Sequence, residues 1–274
     1  MKVFHLNCGS LCPFGLRELY NSFLNKKEGP SENKGHSFVC HCLLIEMSDY
    51  LILVDTGLGL KNIEWAAQSY PGAFFTFFDQ KRLSISETAF YQIKKLGYSP
   101  KDVKHILATH LDFDHVGGLP DFPKAQVHLY RPEFDYASLA PGRYYKKFWD
   151  HNPFWVFYDR PTEYWRGLPC IRPLKGIAPE IFFILLPGHT RGHCGVVVET
   201  GEKTLVFAGD AYFYNHQLTS DSSFNIPLFL YNNFFQWNKS EFKKSLATLK
   251  DLNKELGPHD VLFCSHDKIE FGKF

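Results

Sequence analysis

From Ala108 to Gly118 the chain reads Ala-Thr-His-Leu-Asp-Phe-Asp-His-Val-Gly-Gly, which puts four potential metal ligands, His110, Asp112, Asp114 and His115, within six residues. Imidazole together with carboxylate suits zinc, iron or manganese. His110 and Asp112 are two apart and point the same way where the chain is extended. Asp114 and His115 are adjacent, so they face different directions and can serve different metals. The alternative is a polar loop capping a helix, which gives four such residues little to do.

Further ligand-type residues stand singly. His189 follows Pro187-Gly188, Asp210 follows Gly209, and His266 follows Ser265. His193, four after His189, is a candidate supporting group, and Asp55-Thr56-Gly57 places a carboxylate at another strand end. A carboxylate there can hold a ligand imidazole in one tautomer; as a turn residue it would bond its own backbone.

The elements that must position these residues read as follows. Val103–Ala108 is an apolar run leading into the ligand loop, with a helix expected from about Val116. Phe38–Glu46 and Tyr50–Asp55 are two strands around Ser48-Asp49, a hairpin. Residues 25–36 read as a surface loop, and residues 60–83, with Phe74, Phe75, Phe77 and Phe78, fit no single element. A helix is expected over Ser86–Leu96, capped by Ser86 and stopped by Gly97. Ala125–Leu129 is a strand, after which Pro132 suits the first turn of a short helix. Ile181–Leu186 is a strand ending at His189. Cys194–Glu199 and Thr204–Ala208 form a hairpin ending at Asp210. Residues 239–256 carry Phe242, Leu246, Leu249 and Leu252 near helical spacing, and Val261–Cys264 is a last strand before His266. Separate strand ends thus carry every ligand-type group.

Residues 130–165 hold a dense run of Tyr, Phe and Trp broken by Pro141-Gly142, Pro153 and Pro161. This segment, to about residue 180, reads as an insertion: a lid with an aromatic substrate wall, a satellite core, or a dimer surface. At 274 residues one α/β domain is expected. A net charge of +1 without a basic run excludes the long-range field of a nucleic-acid binder. No apolar stretch is long enough for a membrane span, and a polar break near the start argues against a secretory signal. A cytoplasmic location is the default expectation. The seven cysteines are odd in number and lack disulfide-framework spacing; Cys8 and Cys12 alone are spaced for metal or redox work.

His110-x-Asp112-x-Asp114-His115, with Thr109 before and Gly117-Gly118 after, resembles the H-x-H-x-D-H signature of the metallo-β-lactamase-fold hydrolases. Asp112 stands where most of that family has His, although its flavodiiron branch also places a carboxylate there. Gly188-His189-Thr190, Gly209-Asp210 and Ser265-His266 are similar to its later motifs. The nearest resemblance is to the branch that opens N-acyl-homoserine lactones. The resemblance implies a four-layer αββα sandwich and a binuclear centre. His110, Asp112 and His189 would hold one divalent ion, Asp114, His115 and His266 the second, and Asp210 would bridge them. It also implies zinc, with manganese or iron admitted by Asp112. With two divalent ions, three carboxylates and a bridging hydroxide the formal charge is zero; with His at 112 it would be +1. A more neutral cluster is a weaker Lewis acid with a harder ligand set.

The expected chemistry is attack by a metal-bridging hydroxide on a small-molecule lactone or other ester. Asp114 would orient the nucleophile or carry its proton, and Tyr212 or Tyr214 would bond the developing oxyanion. The competing readings are a glyoxalase-II-like thioesterase or phosphodiesterase, for which Arg143, Lys146 and Lys147 are the local basic residues, and a non-catalytic metal or ligand sensor on the same scaffold. A homodimer is compatible with the aromatic segment.

Overall fold

Long apolar runs such as Leu43-Leu44-Ile45 and Val196-Val197-Val198 contain no polar alternation, so both faces of these strands must be covered. The computed structural model, which describes residues 1–11, 38–66, 84–140, 142–178, 180–219 and 236–274, shows how. The first sheet takes β1 (Lys2–Leu11), β2 (Phe38–Glu46), β3 (Leu51–Val54), β4 (Val103–Leu107), β5 (Gln126–Tyr130) and β6 (Phe154–Tyr158), in that spatial order. The second takes β7 (Glu163–Trp165), β8 (Leu168–Ile171), β9 (Ile181–Leu185), β10 (Cys194–Glu199), β11 (Thr204–Phe207) and β12 (Val261–Phe263), running from β12 to β7 in space.

Successive strand residues point to opposite faces, and the core divides accordingly into three. Leu43, Ile45, Ile52, Val54 and Leu107 meet Phe183, Val196, Val198, Phe207 and Phe263 between the sheets. On the outer face of the first sheet, Leu44, Leu53, Ile106 and Val127 pack with Ile93 of α2 (Ala89–Lys95) and Ala137 of α4 (Arg131–Leu139). On the outer face of the second, Val197, Val206 and Ile184 pack with Leu249 and Leu252 of α6 (Lys239–Glu255). Helix, sheet, sheet, helix is the four-layer αββα sandwich. Shorter helices are α1 (Leu60–Ala66), α3 (Phe113–Val116), α5 (His216–Thr219) and α7 (Lys268–Phe271).

Pairing is antiparallel from β1 to β3 and parallel from β3 to β6. In the second sheet β9, β10 and β11 alternate in direction, and β12 lies parallel to β11. The C-terminal ends of β3, β4, β9, β11 and β12 therefore gather at one edge of the sandwich. Among the described residues no helix is long and apolar enough to cross a membrane.

Two local expectations are corrected. The helix in the ligand loop starts at Phe113, not near Val116, so Asp114 and His115 lie on it. α2 is capped by Thr88, whose side chain accepts from Tyr91 N–H; Ser86 lies in a preceding single turn. The segment from about 130 to 180 supplies β6 at the edge of the first sheet and β7 and β8 at one end of the second, while Tyr144, Phe148 and Trp149 pack on the outer face of the first. The loop at 25–36, the cluster Phe74–Phe78, Cys12 and His36 lie outside the described residues. Among the described residues the six cysteines are buried and free.

A polar chain crosses this core. Tyr158 Oη donates to the Pro173 carbonyl at 2.7 Å and accepts from His128 Nδ1 at 2.8 Å, leaving His128 Nε2 as acceptor for His105 Nδ1 at 3.0 Å. Burial, with His105 beside it, lowers the pKa of His128 from 6.5 to about 3. The folded chain thus binds fewer protons here than the unfolded chain between those values. His128 contributes stability that is complete above pH 6.5 and is lost as pH falls towards 3. Relative to His128→Gln, the wild type should lose about 1–2 kcal/mol between pH 7 and pH 5, measured by urea unfolding. Parallel pH dependence in the two proteins would show that His128 is not the titrating group.

Candidate metal centre

β4 delivers Thr109 and His110, and the single turn α3, entered from extended Asp112 (φ −66°, ψ 150°), carries Asp114 and His115. The loop after β9 brings His189, the turn after β11 brings Asp210, and the turn after β12 brings His266. All seven side chains are buried. Three groups have ligand atoms within 4.8 Å of one another: His110, Asp112 and His189; His110, His115 and Asp210; and Asp114, His115 and His266. His110 and Asp112 converge as their spacing predicts, with Nε2 and Oδ2 3.5 Å apart. Asp114 and His115, adjacent and able to serve different metals, fall in one group with His266, as the resemblance implies.

Tight backbone passages make this possible. Gly188 has φ +133°, and a Cβ there would lie 2.1 Å from Phe242 N at the start of α6. Gly209 has φ +56°, and a Cβ there would lie 2.6 Å from His193 Nε2. That nitrogen accepts from Asp210 N–H at 2.9 Å, while His193 Nδ1 donates to the Leu186 carbonyl at 2.8 Å. His193 therefore positions Asp210 through its backbone, the supporting role foreseen for it.

Each ligand imidazole has its Nδ1 committed to an acceptor. His115 Nδ1 donates to Asp55 Oδ2 at 2.8 Å, and His110 Nδ1 donates to Thr109 Oγ1 at 3.0 Å. Thr109 Oγ1 donates in turn to the same Asp55 oxygen at 2.8 Å, and Thr109 N–H to Asp55 Oδ1 at 2.8 Å. Asp55, itself at φ +54°, thus orients two ligands. His266 Nδ1 donates to the Val39 carbonyl at 2.8 Å, and His189 Nδ1 to Gln236 Oε1 at 3.1 Å. With Nδ1 protonated, all four Nε2 atoms present lone pairs to one place.

The carboxylates meet them there. Asp210 Oδ2 is 3.1 Å from His266 Nε2, 3.3 Å from His189 Nε2 and 4.0 Å from His110 Nε2; its Oδ1 is 3.2 Å from His115 Nε2. Asp114 Oδ2 is 3.6 Å from His266 Nε2. Donors about 2.1 Å from a shared tetrahedral ion stand about 3.4 Å apart, so these separations fit. His110 Nε2, His115 Nε2 and Asp210 Oδ1 are buried without a hydrogen-bond partner among the described residues. Buried polar atoms of this kind call for a ligand. In the chain alone the carboxylates draw protons instead: burial lowers His115 and His266, but Asp210 and Asp114, joined at His115 by Asp55, together outweigh it and raise both.

Two neighbours were not legible as part of the site. Arg143, read with Lys146 and Lys147 as a basic group for a thioester or phosphodiester substrate or as a solvated face, turns inward, its Nε donating to Asp112 Oδ1 at 2.8 Å and its Nη2 to Oδ2 at 2.5 Å. Burial pushes Asp112 up, but Arg143, with His110 and His189, holds its carboxyl well below the usual range. Glu133, fully buried on α4, accepts from Leu111 N–H at 3.1 Å, Gly192 N–H at 3.0 Å and Tyr144 Oη at 3.0 Å. Pro132 flagged that helix, but nothing in the sequence marked Glu133. Of the two tyrosines, Tyr212 is a core residue whose hydroxyl donates to Glu270 at 3.1 Å, and so is not offered to a substrate. Tyr214 lies against the Phe38 ring, which in turn faces His266 (centroids 5.7 and 5.5 Å apart).

Two β-sheets between helices, with histidines and aspartates converging at one edge, define a class of metal-centre protein. Residues 37–266 match the metallo-beta-lactamase superfamily, and the chain belongs to that family. It is 34% identical over 276 residues to a probable metallo-hydrolase of Mycobacterium tuberculosis, covering 97% of this chain and 80% of that one. It is 25% identical over 227 residues to the N-acyl homoserine lactonase of Bacillus cereus, covering 82% and 80%. A solved N-acyl homoserine lactone hydrolase, with N-hexanoyl-L-homoserine bound at its catalytic metal centre, shares the fold with a TM-score of 0.72 at 19% identity, over 100% of this chain and 96% of the other.

Asp55→Asn removes the charge behind His115 and the Thr109–His110 relay. Its affinity for zinc should fall about 10–100-fold, read by competition with a chromophoric chelator. Unchanged affinity would exclude Asp55 from orienting the ligands.

Proposed function

We propose that this chain is a metal-dependent hydrolase that opens a lactone or another ester at a centre able to hold two divalent ions. The observation that carries this is the convergence of four oriented Nε2 lone pairs on three buried carboxylates. His110, Asp112 and His189 form one half-site, Asp114, His115 and His266 the other, with Asp210 between them. Zinc suits this donor set, and the extra carboxylate at 112 admits manganese or iron. Ions held there supply a Lewis acid and lower the pKa of a bound water towards about 7.

The chain's own groups do the rest. Asp114 stands among the ligand groups of the second half-site, where its carboxylate can take the proton of the attacking water and return it to the leaving alkoxide. Burial and Asp267 push the Tyr214 phenol up, so it stays a neutral donor for the oxyanion. Beside His189, Trp237 donates its backbone N–H to the His189 carbonyl at 2.9 Å. The Trp237 ring meets Tyr136, which meets Tyr144, at 6.0 and 6.2 Å between centroids. These aromatic faces suit an acyl chain or a lactone ring, and lactonase relatives favour the same substrate class. For a thioesterase or phosphodiesterase, the basic group is broken up by the pairing of Arg143 with Asp112.

Zinc-loaded protein should hydrolyse N-acyl-homoserine lactones or simple aryl esters, lose turnover to a chelator and regain it on zinc addition. Tyr214→Phe should lower kcat about 10-fold or more, whereas Tyr212→Phe should lower the melting temperature and leave kcat near wild type. Metal-loaded, folded protein inert to every lactone and ester but active on thioesters would move the assignment to the thioesterase class.

A further inference from the structure

We propose that Arg143 is a built-in competitor for the half-site of His110, Asp112 and His189, so that the chain loads divalent metal in two unequal steps. The half-site of Asp114, His115 and His266, with Asp210, fills first and tightly. This inference rests on the metal-centre reading above.

Arg143 does more than balance the charge of Asp112. Its Nη2 lies 2.5 Å from Asp112 Oδ2 and 3.1 Å from His189 Nε2. Gln236 accepts from His189 Nδ1, so Nε2 is the nitrogen left to serve an ion, and the guanidinium stands against it and against Asp112 Oδ2, which is 3.0 Å from the same nitrogen. Asp112 Oδ2 and His189 Nε2 are the atoms that an ion in this half-site needs. One lone pair serves one partner, so an ion can enter only when the guanidinium turns away. A guanidinium stays charged at every working pH, so it also repels an ion that approaches.

The opposite half has no such occupant among the described residues. His115 Nε2 and Asp210 Oδ1, 3.2 Å apart, are buried there without a hydrogen bond, and the groups around them are imidazoles and carboxylates.

The position of Arg143 is built, not incidental. The next residue, Tyr144, is buried and donates to Glu133 at 3.0 Å. Glu133 also holds Leu111, between the ligands His110 and Asp112, and Gly192, three residues after His189. Guanidinium and ligands are therefore hung from one carboxylate. The Arg143 side chain is 19% exposed, which leaves a path for it to swing outward while its backbone stays fixed.

The test is a zinc titration of metal-free protein against a chromophoric chelator, with zinc counted by elemental mass spectrometry after dialysis. The wild type should retain about one zinc per chain and bind a second about 10–100-fold more weakly. Arg143→Ala should bring the two steps together. Arg143→Lys, which keeps a charge over Asp112 but loses the planar fork, should narrow the gap and guards against misfolding of the alanine variant. Two zinc ions bound equally by the wild type, or a gap unchanged in both variants, would overturn the competition and leave the hydrolase reading intact. A folded wild type and variant that bind no zinc would instead overturn the metal centre, and this inference with it.

Discussion

Three carboxylates, Asp112, Asp114 and Asp210, are buried within reach of the same few imidazoles. Like charges at that spacing in a weakly polar interior cannot all stay ionised without positive charge among them. The rest of the structure answers that demand. On Asp112 the chain supplies its own cation, Arg143. Around Asp114 and Asp210 it supplies imidazoles, which either take protons or give their lone pairs to a metal. The same electrostatic need thus is met by a resident side-chain ion pair at one end of the cluster and by exchangeable protons or metal at the other.

Holding such a cluster is a task for rigid backbone, since carboxylates in a mobile loop would move apart. Here the groups hang from the ends of β3, β4, β9, β11 and β12, in which only Lys104 is exposed. The two sheets are also joined at the site: Cys194 N–H donates to the Thr109 carbonyl at 3.0 Å. Asp55, with its left-handed backbone, Gly188 and Gly209 are the places where local geometry gives way to that requirement. They sit at the edge where the site lies, and the two glycines stand next to ligands.

Much of this was legible in the sequence, for a definite reason. Strand ends leave a double signal, an apolar run that stops and a polar residue after Gly or at the turn, and His189, Asp210 and His266 all carry it. The ligand loop is contiguous, so its chemistry is visible without a fold. What stayed hidden depends on contacts between distant residues. Arg143 meets Asp112 across 31 positions and Glu133 meets Gly192 across 59, and no local pattern announces either pairing. β6 and β7 were missed because their aromatic residues show no strict alternation, and β8 because it is four residues with a proline. The helix starting at Phe113 was misplaced because its one turn is too short to show a period.

The hydrogen bond from His266 to the Val39 carbonyl spans 227 positions. It joins β2 to the turn after the last strand, so this ligand is oriented only once the first and second sheets have closed on each other. Loops of that length form late, after local helices and hairpins. The centre is therefore a property of the finished fold: the unfolded chain has the ligands but no arrangement of them. Metal captured there binds the native state far better than any partly folded one. Its uptake marks the completion of folding and then protects it.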